Sequence, residues 1–360
     1  MRFSSVASSL LALGLYAISS YAACTSPTVR REWRQFTTDE KSAWISAVKC
    51  LNGLPHDDAL TPSVDPSISN IPGVNASGSY YDDFVYVHMD LNTRIHNTGL
   101  FLPWHRWYVA VYEGALKEKC GYTGSSPYWD WSIDAPHFFE SDFWADSDPT
   151  SGLGGFGDPN KDFSVPDGAF SDFHLTYPSP HILRRNLTLQ PYLGLDPQFF
   201  TEPAKIANTS FTAAEVSKMV NGFVGDYKGF QTYFEGWEGA HGSVHLIMGG
   251  DLGGDCPSSA PSNCTNGPTF SANEPLFWMH HAMVDKVWYD WQQANTANAA
   301  AFKGGSVQAL ENATYNAEYP NGAPPFLNMS SILPADGLFT ESTIQDVFNT
   351  TAGILCYVYE

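Results

Sequence analysis

His241 and His245 stand four residues apart in the stretch EGAHGSVHLIMGG. On a helix this spacing stacks two imidazoles about one turn apart, so that one metal ion can sit between them. A zinc protease would place a glutamate directly after the first histidine. This chain has Gly242 there, and metal-assisted hydrolysis loses its general base. In NEPLFWMHHAMVDKVWYDWQ, Pro275 suits the first turn of a helix, and Phe277, His281 and Asp285 then recur at i, i+4 and i+8 on one face. His281 is expected to project inward with Phe277 walling its ring and Asp285 holding a neighbouring basic or imidazole group. The adjacent His280 is expected to point elsewhere.

The first half of the chain repeats the theme. In FLPWHRWYVAVYE, Pro103 again suits a helix start, and His105 and Glu113 lie two turns apart on one face. A histidine buried among aromatic rings must find a partner for each ring nitrogen, because an unpaired buried polar group costs roughly 1 to 3 kcal/mol. His96 lies nine residues before His105, too far round to share its face, so it should come from the loop feeding the helix. His88 belongs to the preceding helical stretch. Thus His88, His96 and His105 form one three-imidazole set, and His241, His245 and His281 a second. Six neutral imidazoles with no thiolate or carboxylate suit two copper ions sharing an oxygen-derived ligand, but imidazole also suits zinc and iron. His56, His137, His174 and His181 read as surface or structural residues.

These side chains need helices to position them. Helical periodicity is clearest over Glu32 to Leu51, Tyr81 to Ile95, Trp104 to Lys119, Ala213 to Val220, Tyr227 to Met248 and Pro275 to Ala294. Residues 121 to 210 are rich in Gly, Pro, Asp and aromatics without a sustained period. With no internal repeat and no clean linker, the pattern predicts one mainly α domain over 23–360, with long loops tied down by function or by disulfides.

Composition narrows the partners. Among 360 residues, 18 Lys+Arg against 38 Asp+Glu give a formal net charge of -20, which repels nucleic acid and anionic bilayers. Residues 1–22 carry Arg2, the apolar run SSLLALGLYAISS and small residues ending at Ala22, the pattern of a secretory signal peptide. Six cysteines and sequons at Asn75, Asn186, Asn208, Asn263, Asn312, Asn328 and Asn349 agree with a secreted, glycosylated, disulfide-bonded protein. Of the 15 possible pairings, Cys256 with Cys264 is the easiest to expect, since they bracket a short Pro/Ser/Asn loop.

Two segments resemble the copper-binding signatures of the tyrosinase, catechol oxidase and hemocyanin superfamily. The copper A signature is met by His96, Phe101, Trp104, His105, Arg106 and Glu113. The copper B signature is met by Pro275, Phe277, His281 and Asp285, with Glu274 where Asp is usual. VRREWRQFTTDEKSAWISAVKCL is similar to the start of short secreted fungal tyrosinases, and Tyr357 and Tyr359 in CYVYE resemble the Tyr-x-Tyr motif that closes their catalytic domain. Arg30 or Arg31 could stack on that tyrosine pair. The resemblance implies a four-helix bundle holding a dinuclear type 3 copper site. It also implies the six histidines above as ligands, phenols and O2 as substrates, no C-terminal lid domain, and a monomer or weak dimer.

Departures from the family pattern bear on the chemistry. Many fungal members carry a thioether-forming cysteine where this chain has Arg94. True tyrosinases often have asparagine after the first copper B histidine, cooperating with a glutamate and a water that deprotonates a monophenol; here that position is Gly242. Glu235 is the candidate for that glutamate. Leu246 makes the entrance apolar, and Pro268 stands at the gate position. The expected activity is oxidation of o-diphenols to o-quinones, with weaker ortho-hydroxylation of monophenols. Competing readings are a full tyrosinase, an o-aminophenol or methoxyphenol oxidase, an oxygen carrier, and a glycoprotein without turnover.

Overall fold

The computed structural model describes residues 24–63 and 71–360; the leader expected over 1–22 lies outside them. The helices in chain order are α1 (Thr38–Gly53), α2 (Tyr80–Ile95), α3 (Phe101–Cys120), α4 (Trp131–Asp134), α5 (Ala213–Asn221) and α6 (Tyr227–Glu235). They continue with α7 (Ala240–Met248), α8 (Gly250–Gly253), α9 (Leu276–Ala294), α10 (Ala313–Glu318) and α11 (Ile344–Phe348). The described strands are short and pair only in two-stranded ribbons. No helix among the described residues is long and apolar enough to cross a membrane.

Caps decide where the helices start. The first helix begins at Thr38 rather than at Glu32, because Thr37 and Glu40 form a reciprocal capping box in which the Thr37 hydroxyl accepts from the Glu40 N–H and the Glu40 carboxylate from the Thr37 N–H. Ser79 and Asp82 do the same for α2. The helix expected over Tyr227 to Met248 is broken into α6 and α7 at Gly236 to Gly239. A Cβ at Gly239 would lie 2.6 Å from the Tyr233 carbonyl oxygen and 2.7 Å from that of Phe234, so the turn that aims α7 admits only glycine.

The core is aromatic. Tyr112 of α3 stacks on Trp278 of α9 with ring centroids 3.6 Å apart and planes within 1° of parallel, and Phe84 of α2 meets the same tryptophan edge-on at 5.5 Å. α2 is buried almost all round, from Tyr80 to Leu91. A helix of that kind lies in the interior, and it delivers His88 there.

The two ends of the described chain meet beside this core. Thr28–Arg30 and Tyr357–Tyr359 pair as parallel strands, and Cys24 is bonded to Cys356. Of the two arginines considered, Arg30 is the one that stacks on Tyr357, 3.6 Å from the ring centroid. Its guanidinium donates to Glu113 at 2.9 Å and to the Tyr359 hydroxyl at 3.1 Å. Arg31 instead faces the Phe36 ring and Glu40. The other disulfides are Cys50–Cys120, which joins the ends of α1 and α3, and the expected Cys256–Cys264.

Candidate metal centre

Four helices bring seven buried histidines together. His88 comes from α2, His96 from the residue that ends α2, and His105 from the second turn of α3. One ring nitrogen of each lies within 4.8 Å of the others. His241 and His245 come from α7, and His280 and His281 from α9; one nitrogen of each of these four likewise lies within 4.8 Å of the rest. The expectation that His280 points elsewhere is therefore corrected. Adjacent helical residues diverge by only about 100°, and α9 approaches the cluster so that both imidazoles reach it.

Backbone carbonyls aim the rings. The Nδ1 of His88 is 2.7 Å from the Thr269 oxygen, that of His105 is 2.8 Å from Phe101, and that of His245 is 2.7 Å from Leu252. His96 turns its Nδ1 toward the Asn92 oxygen at 3.3 Å. For His88, His105 and His245 the contact places the N–H on Nδ1 and frees Nε2 as a lone pair, whereas the Nδ1 of His96 also lies 3.2 Å from the side-chain amide nitrogen of Asn92. Sequence reasoning missed these carbonyls. The Gly249–Gly250 corner, both at positive φ, was the available signal: it folds α8 back so that Leu252 can face His245.

The freed nitrogens have no protein partner. The Nε2 atoms of His88, His105, His241 and His245, and both nitrogens of His280 and His281, are buried without a hydrogen bond. Burial drives all seven imidazoles toward the neutral form, His88 to a pKa of about 3 and His245 to about 4, the others well below their ordinary value. Unpaired, neutral, convergent imidazoles fit metal ions.

The remaining expected residues fall around this centre. Phe277 is fully buried, 4.2 Å from the His281 ring and 5.0 Å from that of His88, and forms a wall of the centre against both histidine groups. His96 and His241 are the most exposed of the seven, at 7% and 5%. Gly242 and Leu246, one turn apart on α7, are half-buried beside His241.

Glu235 is buried rather than a surface carboxylate. It accepts from the backbone N–H of Asn97 at 2.6 Å and from Gln231 at 2.8 Å, and burial lifts its pKa to about 8. It thus grips the residue that follows His96. A Cβ at Gly242 would lie 3.2 Å from the Trp237 carbonyl oxygen and 3.5 Å from that of Gly236. The side chain of Pro268 lies outside the described residues.

Residues 78–294 match the family model described as the common central domain of tyrosinase. The chain belongs to the tyrosinase family. Among curated relatives, this tyrosinase-family chain is 30% identical to the tyrosinase-like protein phomQ1 of Diaporthe leptostromiformis, over 94% of this chain and 78% of that one. It is 28% identical to tyrosinase P of Aspergillus terreus over 93% of each. The solved structure of a single-site mutant of a polyphenol oxidase from Thermothelomyces thermophila superposes with a TM-score of 0.68 at 27% identity, covering 93% of this chain and 89% of that one. Family and geometry agree on a type 3 copper oxidase whose two ions are held by the two buried histidine groups.

Proposed function

We propose that this chain oxidises o-diphenols to o-quinones with O2, with His88, His96 and His105 holding one copper and His241, His245 and His281 the other. The copper pair supplies the redox chemistry: two diphenols give up two electrons each, and one O2 is reduced to two waters. The neutral imidazoles hold the ions without taking protons from the substrate. Leu246 offers the phenol ring an apolar lip beside His241, and Phe277 closes the inner wall against water.

Preference for diphenols rests on two observations. Next to His241, residue 242 has no side chain, and both carboxylate oxygens of Glu235 are already engaged by Asn97 and Gln231. Glu235 remains the proton acceptor we assign, but without a side-chain amide at 242 to orient a water it serves a monophenol poorly. Ortho-hydroxylation should be weak. The three disulfides support our further reading that the protein is secreted.

The test is oxygen uptake by the copper-loaded protein with catechol and then phenol, using His105→Ala as the blank. Uptake with catechol at least tenfold above that with phenol is expected. Comparable rates would make the protein a full tyrosinase, and no uptake with either substrate would overturn the oxidase reading.

A further inference from the structure

His280 is the one histidine at the centre for which the six-ligand reading has no use. Its ring is fully buried, and neither nitrogen has a hydrogen-bond partner. A neutral imidazole carries one N–H and one lone pair, and leaving either unpaired in a dry interior costs roughly 1 to 3 kcal/mol. The ring lies nearly parallel to His241, with centroids 5.4 Å apart. It meets His245 edge-on at 4.8 Å and His281 at 5.0 Å, within the nitrogen cluster of the second group.

His281 differs from the better-fixed ligands in the same respect. His88, His105 and His245 each have Nδ1 pinned by a carbonyl, whereas neither nitrogen of His281 has a hydrogen-bond partner. It is held by ring contacts alone, stacked on His105 at 4.3 Å and against Phe277 at 4.2 Å. Two neighbouring imidazoles with no hydrogen bond to fix them thus face one position.

We propose that His280 is a fourth imidazole donor of the second copper and exchanges with His281 as its third protein ligand. The proposal rests on the ligand sets assigned above. A fourth donor lets the site yield one imidazole to an incoming phenolate without releasing the metal.

Copper content, by mass spectrometry after loading and desalting, and the rate of copper release to EDTA test this independently of turnover. His281→Ala is expected to keep two coppers per chain, and the double variant His280→Ala/His281→Ala only one. His280→Gln, which keeps volume and a polar end, is expected to release copper roughly tenfold faster than the unsubstituted protein. One copper in His281→Ala, two in the double variant, or an unchanged release rate in His280→Gln would each overturn the proposal. If His281→Ala does not fold, the His280→Gln rate decides. Fewer than two coppers in the unsubstituted protein would overturn instead the paired-site reading beneath it.

Discussion

His105 and His281, one from each histidine group, are stacked with centroids 4.3 Å apart and planes 14° from parallel. The contact is braced from one residue further along α3, where Arg106 donates its Nε to Asp285 and lies 3.6 Å over the Trp288 ring. Asp285 also accepts from the hydroxyls of Tyr357 at 2.5 Å and Tyr359 at 2.6 Å, which ties α9 to the C-terminal strand. Asp285→Asn leaves the buried Arg106 guanidinium uncompensated and is expected to destabilise the fold by about 3 to 5 kcal/mol. Urea unfolding checks this, and a loss under about 1 kcal/mol would mean that the network tolerates a neutral hub.

Gly242→Asn introduces the missing amide. Its Cβ would lie 3.2 Å from the Trp237 carbonyl, a contact that a shift of a few tenths of an ångström relieves. The ratio of monophenol to diphenol oxygen uptake should rise about tenfold. An unchanged ratio would move the cause of weak hydroxylation elsewhere.

Glu235→Gln keeps the shape but removes the titratable group whose pKa burial lifts to about 8, and replaces with an amide donor one of the two oxygens that accept from Asn97 and Gln231. Monophenol turnover is expected to fall roughly 10- to 100-fold, with catechol turnover reduced by no more than a few-fold. Equal losses on both substrates would show that Glu235 acts by placing the loop after His96 and not as a proton acceptor.

His181 has both nitrogens on acceptors, Nε2 at 2.8 Å from Asp251 and Nδ1 at 2.6 Å from the Ser179 carbonyl. When the ring is protonated, it donates from both nitrogens. Burial lowers its pKa, but Asp251 and the carbonyl more than offset this, and the folded value is raised. A raised folded pKa means stabilisation that is fully present below the unfolded value of about 6.5 and is lost as pH rises through the folded one. His181→Gln should be less stable by about 1.5 to 3 kcal/mol at pH 6, with the gap narrowing by pH 9. Urea unfolding at both pH values reads it; a gap that stays constant would mean the ring is not cationic.

Much of this centre was legible in the sequence because helical spacing fixes which side chains share a face. The i, i+4 pair His241 and His245, the series Phe277, His281 and Asp285, and the loop origin of His96 needed only the 3.6-residue period. The short loop between Cys256 and Cys264 likewise announced its own bond. Tertiary structure decided the rest, because facing says nothing about what a helix is turned towards. His280 joined the cluster through the approach of α9, and Glu235 reached Asn97 because the face of α6 that carries Gln231 and Phe234 packs inward. The carbonyls of Thr269 and Leu252 became ring anchors only when distant backbone folded over α2 and α7. Apart from the Gly249–Gly250 corner that brings Leu252 to His245, a backbone oxygen leaves no mark in the sequence, and no periodicity reports contacts made across 181 residues, as between His88 and Thr269.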